Sequence, residues 1–207
     1  MQGVLHVITD ETVQSSFSHA SLAEQASANG ADFVQYREKR HFDTQSLCGV
    51  AASIQEICSK SKQSRLVVND RVDVACEIGA KAVHLGKHDL STNIARRILG
   101  RSAFIGGTAN SLMEARLLWK TVDYLGVGPI FGTTSKANPA PAMGLDQLSR
   151  ICREFPRPVI AIGNIQVENV PDVIEAGAFG IAVLSAIVCS DDPGRSTLEF
   201  ARALEKC

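Results

Sequence analysis

Three cations, Arg37, Lys39 and Lys136, and two carboxylates, Asp70 and Asp89, stand where apolar runs give way to polar sequence. That mixture suits phosphate chemistry. Guanidinium and ammonium groups neutralise phosphate oxygens, and magnesium is commonly held by one or two carboxylates with substrate phosphates completing its shell. Amide and hydroxyl side chains occupy matching places: Gln35, Asn69, Thr108, Thr133, Thr134, Ser135 and Asn164. Gly163–Asn164 and Leu184–Ser185 offer backbone N–H groups of the kind that hold a phosphate monoester. Each piece has an ordinary reading. "REKR" (37–40) is by itself a solvated turn, "VND" (68–70) an Asx turn, and Asp70 or Asp89 a helix cap. His84 reads as a packed histidine, and "GN" (163–164) as a left-handed turn. Only convergence of the pieces on one surface would make a site.

The surrounding pattern supplies that convergence. Eight short, mostly continuous apolar runs recur, at 4–9, 32–38, 65–70, 82–86, 103–109, 124–130, 158–165 and 180–188. Continuous rather than alternating apolarity is expected of strands buried on both faces of a parallel sheet. Amphipathic segments lie between them. In the segment 43–60, Leu47, Val50, Ala51, Ile54 and Ile57 form one stripe. "ANGADF", "EIGAKAVH" and "EAGAFGIAV" each end a helix at glycine and enter a strand through small residues. These units predict an α/β fold, one (β/α)8 TIM barrel spanning residues 1–207, in preference to an open doubly wound sheet, for which a GxGxxG turn after the first strand is missing. In such a barrel the site lies at the carboxyl ends of the strands, where every residue named above falls. The rim is expected to hold two phosphorylated groups, one with metal. The polar loop 131–144 is long for so short a barrel and is expected to be functional, acting as a lid.

A net charge of −1 gives no field to attract nucleic acid or a membrane surface. No apolar stretch approaches the ~20 residues of a membrane span, and no leader is visible at the start. The six cysteines show no CxxC pair and no zinc spacing, so they read as thiols in a reducing compartment. A cytoplasmic location is expected.

At the same positions the chain resembles the thiamine phosphate synthase family, from about residue 3 to the end. The family's Q-x-R-E-K matches Gln35–Lys39, its V-N-D matches Val68–Asp70, and its H-L-G-x-x-D matches His84–Asp89. Its glycine-proline-threonine-lysine loop matches Gly126–Lys136, and its G-I-G-G-I becomes "AIGNI" (161–165), with Asn164 in place of a glycine. The resemblance implies coupling of hydroxymethylpyrimidine diphosphate to a thiazole phosphate, with release of pyrophosphate by a dissociative, Mg2+-assisted route. It implies that Gln35, Arg37, Lys39, Asn69, Thr108 and Lys136 bind the pyrimidine diphosphate, Arg37, Lys39 and Lys136 being catalytic. Asp70 and Asp89 would hold Mg2+. Thr133, Thr134, Ser135, Gly163, Asn164, Leu184 and Ser185 would bind the thiazole phosphate. A homodimer or larger assembly is also implied. The alternatives are a thiazole tautomerase, which uses a histidine where Asn110 stands, a catalytically silent thiamine-phosphate-binding protein, and an unrelated sugar-phosphate isomerase barrel.

Overall fold

Each apolar run has two faces, and the two are buried against different things. The computed structural model describes residues 3–61, 63–133 and 140–207. Strands and helices alternate: β1 (Val4–Thr9), α1 (His19–Ala28), β2 (Phe33–Tyr36), α2 (Thr44–Lys60), β3 (Arg65–Asn69), α3 (Val72–Glu77), β4 (Ala82–Leu85), α4 (Thr92–Leu99) and β5 (Phe104–Ala109). They continue with α5 (Leu112–Leu118), β6 (Tyr124–Val127), α6 (Gly144–Glu154), β7 (Val159–Ile162), α7 (Val170–Glu175), β8 (Gly180–Val183), α8 (Ser185–Val188) and α9 (Pro193–Glu205). The strands pair in parallel in chain order, and β1 pairs with β8 from Val4↔Gly180 to Val7↔Val183, which closes the barrel.

Outward positions such as Leu5, Val7, Val34, Val68, Val83, Ile105, Leu125 and Ile181 are buried in the large core that includes the helices. Inward positions form a second cluster, Ile8, Tyr124, Ile160 and Ala182, flanked by Phe104, Ile162 and Leu184. Rings fill the barrel below the rim: His6 stacks on Phe33 at 4.4 Å between centroids, Phe33 on Phe104 at 5.5 Å, and Phe104 on Tyr124 at 5.1 Å. Continuous apolarity was therefore the signature of burial on both sides.

The helix stops fall where expected: Gly30, Gly79 and Gly177 have φ of 99°, 68° and 100°, a region that costs a residue with a Cβ. Two local expectations need correction. The stripe of α2 is Leu47, Ala51, Ile54 and Cys58, whereas Val50 is 37% exposed. Successive steps of four, three and four track 3.6 residues per turn more closely than the expected set. The eighth run is not one strand either. It leaves the sheet at Val183, turns at Leu184 (φ −118°, ψ −89°) and forms the short α8. A short apolar run carries no period that separates a strand from a buried helical turn.

His6 is a titratable group inside this apolar stack. Burial, then the charge of His84, lowers its pKa from 6.5 to about 3. The folded value lies below the unfolded one, so the stability tied to neutral His6 is present above pH 6.5 and is lost as pH falls toward 3. Denaturant titrations at pH 6 and pH 4 should show a fall of up to about 1.4 kcal/mol per pH unit from this one proton, absent in His6→Gln. Equal pH slopes in the two proteins would remove His6 as the cause.

Candidate active site

The carboxyl ends of β1 to β8 bring most of the expected residues to one rim. Gln35 points inward from β2, is buried, and donates from Nε2 to Asn69 Oδ1 at the end of β3, 2.8 Å away. In the charged turn that follows, alternate residues part company. Arg37 and Lys39 pair with Asp10 and Asp70 at strand ends, whereas Glu38 and Arg40 pair with each other and with His19 and Glu11. Arg37 is anchored through its backbone N–H to Thr9 O at 3.2 Å, and its guanidinium meets the Asp10 carboxylate. The Lys39 ammonium meets Asp70 Oδ2. Burial lowers the pKa of Arg37, and the carboxylates of Asp70 and Glu38 work against that shift.

Asp70 and Asp89 are not helix caps. Arg71 occupies the cap position of α3 without a side-chain bond, and α4 is capped by the Ser91 hydroxyl. Asp70 sits in the left-handed region at φ 64°, held there by its N–H donating to His84 O at 2.9 Å. That backbone conformation is uncommon for a residue with a Cβ, and the carboxylate it carries meets the Lys39 ammonium. Asp89 accepts from the Gly86 N–H at 2.7 Å. Burial raises its pKa, and the hydrogen bond and negative charge of Asp70 raise it further. The two carboxyls therefore share one locus, and a divalent cation there would relieve their mutual repulsion.

Thr108, inward on β5, is oriented from below. Its Oγ1 meets His84 Nε2 at 2.9 Å, and His84 Nδ1 meets the buried Tyr124 hydroxyl at 3.0 Å. Two glycines make room for that chain: a Cβ on Gly106 would lie 2.1 Å from Tyr124 Cζ, and one on Gly126 would lie 2.7 Å from His84 Cε1. The packed-histidine reading of His84 holds, with the addition that it packs beneath a rim hydroxyl.

On the far side, Gly163 (φ 111°) and Asn164 (φ 50°) both take the left-handed turn read from "GN". A Cβ on Gly163 would lie 2.5 Å from Pro129 Cα, because the root of the loop after β6 passes there: Phe131 N–H donates to Gly163 O at 3.1 Å. Leu184 and Ser185 open α8, whose N-terminus carries no side-chain cap. A short extra helix after the eighth strand is a usual phosphate-binding element of this fold. Thr133 is the last described residue of its segment. Thr134, Ser135 and Lys136, and with them residues 134–139 of the expected lid, lie outside the described residues.

The contribution of β1 was not foreseen. Asp10 follows β1 and is fully buried. The same rule that located the other rim residues, reading the position just past each apolar run, would have found it. Nearby, Glu11, His19 and Glu38 place ligand atoms within 4.8 Å of one another. Arg40 already bonds both carboxylates, to Glu11 at 2.6 Å and Glu38 at 2.5 Å, and so offsets one of the two negative charges a metal would meet. Burial alone would raise the Glu38 pKa, but hydrogen bonds from Arg40 and His19 outweigh it and hold it down at about 2. The group ties the charged turn to the start of α1.

The thiamine monophosphate synthase family model matches residues 5–187. The chain belongs to the thiamine monophosphate synthase family. It is 42% identical to the thiamine-phosphate synthase of Salinibacter ruber, over 98% of this chain and 89% of the relative. It is 39% identical to that of Methanospirillum hungatei, over 95% of each. The solved thiamine phosphate pyrophosphorylase from Pyrococcus furiosus superposes with a TM-score of 0.88 at 31% identity, covering 98% of this chain and 96% of that one. Membership assigns thiamine-phosphate synthase activity, a group transfer in thiamine biosynthesis.

Proposed function

We propose that the rim couples hydroxymethylpyrimidine diphosphate to thiazole phosphate, giving thiamine phosphate and pyrophosphate. The observation that carries this reading is the meeting of Lys39, Asp70 and Asp89 beside Arg37 and the Gln35–Asn69 pair, in a chain of this family. Gln35, Asn69 and Thr108 hold the pyrimidine end, and Arg37, Lys39 and Lys136 hold the diphosphate. Thr133, Thr134, Ser135, Gly163, Asn164, Leu184 and Ser185 hold the thiazole phosphate. Asp70 and Asp89 would hold Mg2+, which when bound neutralises charge gathering on the leaving diphosphate.

The methylene C–O bond breaks with its electron pair leaving on the diphosphate. The thiazole nitrogen lone pair then forms the C–N bond. No proton need move at the bond-making atoms, so the cations are wanted in place rather than a strong base. His84, held between Tyr124 and Thr108, serves as a support for the hydroxyl, which agrees with that requirement.

Homodimerisation is part of the same proposal. Met113 and Leu117, 73% and 75% exposed one turn apart on α5, support it as apolar surface that association would cover. A cytoplasmic setting is supported by all six cysteines being free thiols. Among the described residues, no helix is long and apolar enough to cross a membrane.

The deciding experiment incubates the protein with both substrates and Mg2+. Stoichiometric pyrophosphate and thiamine phosphate are expected. Pyrophosphate without thiamine phosphate, or neither product, would overturn the coupling reading.

A further inference from the structure

We propose that Asp10 is a positioning residue whose buried carboxylate fixes the Arg37 guanidinium at the diphosphate site and keeps it off Asp70. The proposal rests on the reading that Arg37 contacts the diphosphate.

Asp10 has no accessible surface, and a buried carboxylate is costly unless paired. One of its oxygens is taken locally: Oδ1 accepts from Thr12 N–H at 2.7 Å and from Thr12 Oγ1 at 2.6 Å. This Asx turn sets the plane of the carboxylate and leaves Oδ2 facing Arg37 Nη1. Their contact is an ion pair, and neither atom has a hydrogen-bond partner among the described residues. The carboxylate therefore has one cation to serve, and it is a cation of the site.

Arg37 has other carboxylates in its field, Asp70 and Glu38. Glu38 is occupied by Arg40 and His19. Asp70 is the competitor, and it is also the residue that pairs with Lys39 and faces Asp89. A guanidinium released onto Asp70 would leave the diphosphate and cover the cation locus. Asp10 wins because its side chain is fully buried, against 17% exposure for Asp70, and the same charge pair attracts more strongly where water is excluded.

The test is a double-mutant cycle of Asp10→Asn and Arg37→Gln, read through the inhibition constant of pyrophosphate and the KM of each substrate. Asp10→Asn should raise the pyrophosphate inhibition constant and the pyrimidine diphosphate KM about tenfold, the loss of one well-held charge-assisted contact. The thiazole phosphate KM should stay within about twofold, which a general loosening of the barrel would not respect. In the Arg37→Gln background, Asp10→Asn should add nothing to the pyrophosphate constant. Additive effects, or an unchanged pyrophosphate constant in Asp10→Asn with Arg37→Gln impaired, would overturn the role of Asp10 alone. An unchanged constant in Arg37→Gln would overturn both this proposal and the assignment of Arg37. If Asp10→Asn does not fold, Thr12→Val keeps the charge but loses one orienting bond, and should shift the same constant about threefold. No shift in that variant would count against the proposal.

Discussion

Asp89→Ala is expected to lower the coupling rate by about 10²–10³-fold while leaving the barrel folded. Asp70→Asn should do the same. Neither side chain caps a helix, and neither contributes to either apolar cluster. Asparagine is chosen at position 70 because φ is 64° there, and asparagine tolerates the left-handed region better than alanine does. The loss should fall on turnover and on the Mg2+ concentration needed for half-maximal rate, since both carboxylates face one cation locus. Steady-state rates across a Mg2+ titration, beside thermal melts, check this. Undiminished turnover in Asp89→Ala would remove that residue from the mechanism.

The second large effect separates two neighbouring cations. Lys39→Ala should cut kcat strongly with little change in stability, because its side chain is 45% exposed and exposed pairs contribute only about 0–1 kcal/mol. Arg37→Ala should cut kcat and also destabilise the fold by about 3–5 kcal/mol, because it leaves Asp10 buried and unpaired. In both, kcat should fall along with affinity, since contact with a leaving diphosphate tightens as charge develops on it. Pyrophosphate-release kinetics and denaturant titrations on the two variants make the comparison. Equal destabilisation of the two, with rate intact, would return the charged turn to an ordinary solvated surface.

The architecture was legible because its signals are local. Burial on both faces makes a strand uniformly apolar, and each strand can be read without knowing its neighbours. The glycines that end helices before β2, β4 and β8 report a backbone angle that other residues pay to adopt. Once a barrel is inferred, the position just past each strand is known to lie on one rim, so Gln35, Arg37, Lys39, Asn69, Asp70, Asp89 and Thr108 could be named before any distance was known. The eighth run misled because Leu184 turns the chain within an apolar stretch that has no period to betray it.

Residue types and their order along the chain thus determined the barrel, the rim and the phosphate-directed character of its side chains. Only the tertiary structure decided which charges touch. Arg37 meets Asp10, Lys39 meets Asp70, and Asp70 crowds Asp89, each pair drawn from different strand ends. The support of Thr108 by His84 and Tyr124, drawn from three neighbouring strands, likewise depends on space left by Gly106 on β5 and Gly126 on β6. Side-chain pairing is a short-range interaction between residues distant in sequence. Composition and periodicity carry no distance between strands, whereas closure of the barrel sets every one of them.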